Sequence, residues 1–255
     1  MGGVEATRSV MSKEMAARDT RGTPPHPRGS RGTPPHTGGP ASHPGYLELG
    51  TERRRPSRAF FTRASPQVAP DLLGKLLVRD EGDGAATVAR LVETEAYQQN
   101  DPASHSYRGR TERNAVMFGR AGHLYVYFTY GMHYCMNVSC DQEGVGSAVL
   151  LRAAVIVEGR DRVRERRGQR PDRDLLRGPG RLSAGLDVDR SFDGLDLLDS
   201  ASPLRFEDDG WGADPAAVVA GPRVGIRTAA DKPWRFWLEG VPEVSRYARH
   251  PRAGR

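Results

Sequence analysis

The sharpest periodicity in the chain lies between Leu124 and Asn137, LYVYFTYGMHYCMN. Leu124, Val126 and Phe128 alternate with Tyr125, Tyr127 and Thr129, the period of a strand whose two faces differ. Gly131 interrupts the run, and Tyr134, Met136 and Val138 resume it against His133, Cys135 and Asn137. The pattern predicts a β-hairpin with Tyr130-Gly131-Met132 at its tip. Apolar side chains at a tip gain nothing from the core. Tyr130 and Met132 therefore either pack on a neighbouring loop or insert into a partner. Ser147 to Val157 (SAVLLRAAVIV) is nearly all apolar and predicts a central strand buried on both faces. Arg152 stands in its middle, where a guanidinium is costly unless paired or used.

Weaker signals fill in the rest. Lys75 to Arg79 and Ala86 to Tyr97 are expected strands, and Ala64 to Leu73 a short helix ended by Gly74. Asp101 to Arg113 is a polar loop, followed by a helical turn over Arg113 to Phe118. Arg160 to Arg167 and the stretch opened by Gly178-Pro179-Gly180 through Leu186 fit helices. Ala216 to Ile226 and Trp234 to Leu238 are expected late strands, with a frayed end over 248–255. Strands outnumber helices and no βαβ rhythm appears. The expectation is one α+β domain over residues 56–247, with a mostly antiparallel or mixed sheet.

Composition changes the picture at the amino end. Residues 1–55 carry RGTPPH twice, at Arg21–His26 and Arg31–His36. Pro, Gly, Thr and Arg cannot bury enough apolar area to offset chain entropy, so this stretch is expected to be a disordered tail. The formal charge is +6 over 255 residues and uneven. Residues 1–55 hold nine Lys or Arg against five acids, and Arg160 to Arg181 hold nine Arg against four. Such a tail plus one segment either contacts a polyanion or is simply solvated. Two cysteines, Cys135 and Cys140, make neither a disulfide framework nor a four-ligand zinc site. No apolar run is long enough for a membrane span and no secretory signal is evident, so a cytoplasmic protein is expected.

The chemistry-bearing stretch is Arg90 to Tyr97, RLVETEAY. In a strand Glu93, Glu95 and Tyr97 share one face with Leu91. Two carboxylates and a phenol on one face suit a general base that activates water, or else a solvated acidic edge. A carboxylate and Arg152 on neighbouring strands could hold a water between them. Tyr97, His105 and Tyr127 could wall a slot for a flat ring. Metal binding is the rival, with Glu93, Glu95, Asp101, His105 and His133 as possible ligands, but without HExxH or paired-His spacing. No GxSxG elbow, GxGxxG fingerprint or phosphate-binding loop occurs.

ETEAY at Glu93–Tyr97, Ser104-His105, RNAVMF at Arg113–Phe118, LYVYFTYGMHYCMN, VLLRA at Val149–Ala153 and GPGRL at Gly178–Leu182 are co-linear. Together they resemble the alkyladenine (3-methyladenine) DNA glycosylase family over roughly Arg58 to Tyr247. The resemblance implies that Glu95 is the general base. Arg152 and the backbone carbonyl of Val224 would hold the water it activates. Tyr97, His105 and Tyr127 would stack around a flipped base, and Asn137 would exclude normal guanine. Tyr130 would wedge into the minor groove with Met132 beside it. It further implies a single compact domain with this hairpin protruding, no metal or other cofactor, and double-stranded DNA containing alkylated bases as partner. The expected enzyme is monomeric, found with the nucleoid in the cytoplasm, and excises 3-methyladenine-type purines, with hypoxanthine or ethenoadenine as further candidates. The shortage of lysines fits an enzyme that does not cut the strand, because strand cleavage uses an amine. Two other classes stay open: a damaged-DNA-binding module that has lost chemistry, and a hydrolase of free nucleosides.

Overall fold

The structure, a computed structural model, describes residues 45–82 and 84–254. Two short helices open it, α1 (Arg58–Phe61) and α2 (Ser65–Asp71). Strands β1 (Leu76–Gly82), β2 (Ala85–Tyr97), β3 (Leu124–Thr129), β4 (His133–Ser139) and β5 (Ala148–Glu158) follow. Helices α3 (Arg160–Arg167) and α4 (Pro179–Gly185) precede three four-residue strands, β6 (Leu204–Glu207), β7 (Val218–Gly221) and β8 (Arg235–Leu238). The sheet runs β3-β4-β5-β2-β1-β6, with β8 pairing both β2 and β7. Every strand pairing among the described residues is antiparallel. The α+β expectation holds, and its mixed-sheet alternative does not.

β2 organises the sheet because it is long. One edge pairs with β5 along nearly its whole length. The other edge is divided: Ala85–Arg90 pair with β1, and Glu93–Glu95 pair with β8. The apolar run of β5 is buried almost throughout, as a strand between two neighbours requires. The main core lies on the side covered by α2 and α4, where Val68, Leu72, Leu91, Leu124, Met136, Leu151 and Leu182 meet. A smaller cluster with Val92, Ala153, Val155 and Leu238 packs on the opposite side.

Three expectations are revised. Residues 45–55 do not belong to a free tail. The wholly buried Arg90 donates to the carbonyls of Tyr46 (2.9 Å), Glu48 (2.6 Å) and Gly74 (2.9 Å), and pairs with Asp209 at 2.7 Å. These bonds pin the segment to the sheet; residues 1–44 lie outside the described residues. The carboxyl end is held as well, since the Ala248 carbonyl accepts from Gly225 N–H at 2.9 Å. The strand expected over Ala216 to Ile226 covers only Val218–Gly221. Pro222, which has no N–H, ends it, and Arg223 turns inward. β6 leaves no periodic signal in the sequence, because four residues are too few to show a period.

The hairpin forms as the alternation predicts. Leu124 and Val126 join the main core, while Tyr125 and Tyr127 face a third cluster with Met117 and Phe118. At the tip Tyr130 (φ 52°) and Gly131 (φ 67°) are both left-handed, and Met132 N–H closes on the Thr129 carbonyl at 3.2 Å. Two successive left-handed residues suit the twist of a tight hairpin. For tyrosine that conformation costs about 1–2 kcal/mol. Tyr130 is 82% exposed and Met132 68%, so neither packs on a neighbouring loop.

Candidate active site

The register of β2 against β5 shifts three times, between Val88 and Ala89, between Leu91 and Glu93, and between Glu93 and Thr94. The last two shape the site. Val92 and Arg152 are the extra residues, each without a directly opposed partner. Such bulges re-aim side chains. Leu91 accordingly sits in the main core instead of sharing a face with the acids. Glu93, Glu95 and Arg152 gather on the other side, and both carboxylates are completely buried.

The two acids have different surroundings. Glu93 Oε1 accepts from Arg152 Nε (2.7 Å), Arg235 Nε (2.7 Å) and Ser245 Oγ (2.8 Å), and Oε2 accepts from Ser245 N–H (2.7 Å). Burial opposes its charge, but Arg152 and Arg235 outweigh that and hold its pKa below the usual carboxylate range. Glu95 Oε1 accepts from the Val224 N–H at 2.7 Å and lies 3.2 Å from Arg152 Nη1. Its Oε2 accepts from the Tyr97 hydroxyl at 2.8 Å. Glu95 and Arg152 line a cleft of about 430 Å³, together with Tyr97, His105, Tyr127 and Tyr130. Val224 also lines this cleft, and its observed link to the acids is through its N–H.

A recess of about 120 Å³ shares Tyr97, His105 and Tyr127 with the cleft and adds Met117 and Asn137. Asn137 is anchored there, donating from Nδ2 to the Tyr125 carbonyl at 3.2 Å. His105 meets Tyr127 edge to face, with centroids 4.6 Å apart and 74° between planes. The two rings therefore form a corner instead of parallel plates. His105 Nδ1 lies 3.1 Å from the Tyr125 hydroxyl. Burial, then the charge of Arg113, lowers the His105 pKa, so the ring is neutral at neutral pH. Burial raises the Tyr97 phenol well above its usual value, reinforced by the charge of Glu95, so its hydroxyl remains a donor. Tyr127 is likewise raised by burial and by the neighbouring Cys135 thiol.

Several contributors carry no sequence signal. Arg223 lies 4.6 Å over the Tyr97 ring, pairs with Asp101 and donates to the Ala96 carbonyl at 2.9 Å. It thus supports the ring from behind, and Asp101, a possible metal ligand by type, is taken up by it. Ser245 and Arg235 likewise emerge only from the fold. His133 lines the cleft and packs on Gly180, where an added Cβ would lie 2.9 Å from the imidazole. Part of the Arg160–Arg181 charge is neutralised locally: Arg160 and Arg164 pair with Asp172, Arg166 with Glu81, and Arg181 with Asp174.

A family model described as Methylpurine-DNA glycosylase (MPG) matches residues 59–242. The chain belongs to the methylpurine-DNA glycosylase family. It is accordingly a DNA glycosylase, a hydrolase of DNA repair. A protein of Streptomyces avermitilis named "Putative 3-methyladenine DNA glycosylase" is 50% identical over 198 residues, 76% of this chain and 92% of its own. Proteins of the same name from Burkholderia lata and Nocardia farcinica are 48% and 50% identical, each over 74% of this chain and 89% of their own. Glu93, Glu95, Arg152, Val224 and the whole hairpin fall inside the matched span, whereas Ser245 falls beyond it. No helix among the described residues is long and apolar enough to cross a membrane.

Proposed function

We propose that this glycosylase flips an alkylated purine of the 3-methyladenine type from duplex DNA into the cleft and releases it with a water activated by Glu95. The observation that carries the reading is the buried Glu95 carboxylate at the cleft wall. Arg152, the Val224 N–H and the Tyr97 hydroxyl fix it there, beneath aromatic walls and an exposed aromatic tip. Glu95 takes a proton from water as the oxygen bonds to the anomeric carbon. The glycosidic C–N bond breaks and the purine leaves with its electron pair. A purine made cationic by alkylation leaves readily and stacks well on Tyr127 and Tyr97. The enzyme then supplies mainly a positioned water and a carboxylate near the developing oxocarbenium charge. Tyr130, wedged between base steps, fills the gap left by extrusion, with Met132 in the groove beside it. Asn137 in the recess discriminates between purines by contact with their edges.

The reaction stops at the abasic site. Lys75 Nζ pairs with Asp208 at 2.6 Å and Lys232 lies over Trp234, so neither lysine among the described residues lines the cleft to form a Schiff base. Glu95→Gln tests the assignment. It should bind damaged duplex as well as wild type and excise at least about a hundredfold more slowly, the scale of a lost general base. Excision close to wild type would remove Glu95 from this role. A wild-type protein that bound alkylated duplex and released no base would instead be a silent damage-binding module.

A further inference from the structure

Glu93 is a buried acid two residues from the proposed base, and the reaction just described makes no use of it. Of its three partners, Arg152, Ser245 and Arg235, the first two also bond each other. Arg152 gives Nε to Glu93 Oε1 at 2.7 Å and Nη2 to Ser245 Oγ at 3.1 Å. That leaves Nη1 as the nitrogen beside Glu95, at 3.2 Å. A guanidinium is planar and rigid, so fixing two nitrogens fixes the third. The clamp is itself braced. Ser245 donates its hydroxyl to Glu93 at 2.8 Å and its N–H at 2.7 Å, and its carbonyl takes Arg235 Nη2 at 2.7 Å. Arg235 returns to Glu93 through Nε at 2.7 Å, and Arg177 Nε holds the preceding carbonyl, that of Val244, at 2.9 Å. The single hydroxyl of Ser245 thus serves both sides of the Glu93–Arg152 pair, one proton given and one accepted.

We infer that Glu93 and Ser245 are positioning residues: by gripping Arg152 from behind they set the place of its Nη1 against Glu95. The inference rests on Glu95 being the base. The four charges Glu93, Glu95, Arg152 and Arg235 balance in pairs. Without the charge of Glu93, or without the Ser245 hydroxyl, Arg152 is free to turn and take both oxygens of Glu95 as a bidentate pair. The carboxylate would then be engaged where it should receive the proton of water. A network that served only the fold would lower stability without touching the chemistry of the folded fraction.

The test compares Ser245→Ala, Ser245→Thr and Glu93→Gln in the full-length protein. Methylpurine release from duplex treated with dimethyl sulfate is followed under single turnover, beside thermal melts. Ser245→Ala should melt near wild type and excise roughly tenfold to a hundredfold more slowly, the penalty of a misplaced group. Ser245→Thr, which keeps the hydroxyl, should recover most of the rate. Glu93→Gln should be slower still. Wild-type rates in both Ser245→Ala and Glu93→Gln would overturn the inference. So would lowered melting temperatures with a normal rate per folded molecule. Glu95→Gln, run alongside, separates this from the parent reading. Normal excision by Glu95→Gln removes the base itself. Its loss, with normal excision by the other variants, removes only the positioning role.

Discussion

Tyr130 tests whether the hairpin exists for the protein's own core or for its partner. Truncating a large aromatic side chain inside a core costs about 3–5 kcal/mol. Tyr130 is 82% exposed, so less than a fifth of it is covered and the expected cost of Tyr130→Ala falls below about 1 kcal/mol. For a domain of this size that shifts the melting temperature by no more than about 4 °C. Tyr130→Gly should melt at or slightly above wild type, because glycine relieves the left-handed strain at φ 52°. Excision should respond differently. Removing a side chain that stacks in place of the extruded nucleotide takes about 1–3 kcal/mol from the flipped complex. That corresponds to a fall of roughly 5-fold to 150-fold at subsaturating enzyme. The assay is a melt of the free protein beside single-turnover rates on one lesion that wild type excises, placed opposite its normal partner and opposite a mismatch. The deficit should shrink opposite the mismatch, where less pairing must be broken. A large loss of melting temperature with unimpaired excision by the folded fraction would refute the wedge and return Tyr130 to the fold.

The further outcomes concern stability and DNA binding. Arg90→Met leaves Asp209 buried without its partner and frees the segment from Tyr46 to Glu48; unfolding in denaturant should register a loss of about 3–5 kcal/mol. Burial opposes the charge of Asp209, but the Arg90 bonds and Gly50 N–H hold its pKa well below the usual value. Its folded pKa is depressed, so the contribution is present above about pH 4 and disappears as pH falls through the folded value; an acid titration of wild-type stability should show this loss, and Arg90→Met should lack it. Deleting residues 1–44, which carry six Lys or Arg against three acids, should make the salt dependence of DNA binding shallower while leaving the melt and the saturated single-turnover rate unchanged. Deleting residues 1–55 should lower the melting temperature because it removes the acceptors of Arg90; equal melts for the two deletions would contradict the packing of residues 45–55.

Much of the molecule is written locally. Alternation separates the core face of β3 from the pocket face, because side-chain direction in a strand depends only on the parity of the position. The nearly all-apolar run of β5 announces a strand covered on both sides, and an aromatic beside Gly131 marks a tip that either packs on a loop or meets a partner, a choice the sequence leaves open. The family motifs, being contiguous, point to Glu95, Tyr97, His105, Tyr127 and Asn137, and the fold gathers these residues around one cleft and its recess. Parity alone, however, cannot choose between Glu93 and Glu95. Bulges at Val92 and Arg152 send Leu91 to the core and leave Glu93 clamped while Glu95 meets the cleft, and a bulge depends on how two strands pair. The supports are equally invisible. Ser245 reaches Glu93 across 152 positions, Arg223 reaches Asp101 across 122, and Arg90 gathers Tyr46, Glu48 and Asp209 from both ends of the chain. A serine or an arginine in a loop has no period and no fixed spacing to its partner. Its role arises only when folding removes water from both groups and each becomes the other's remaining source of hydrogen bonds.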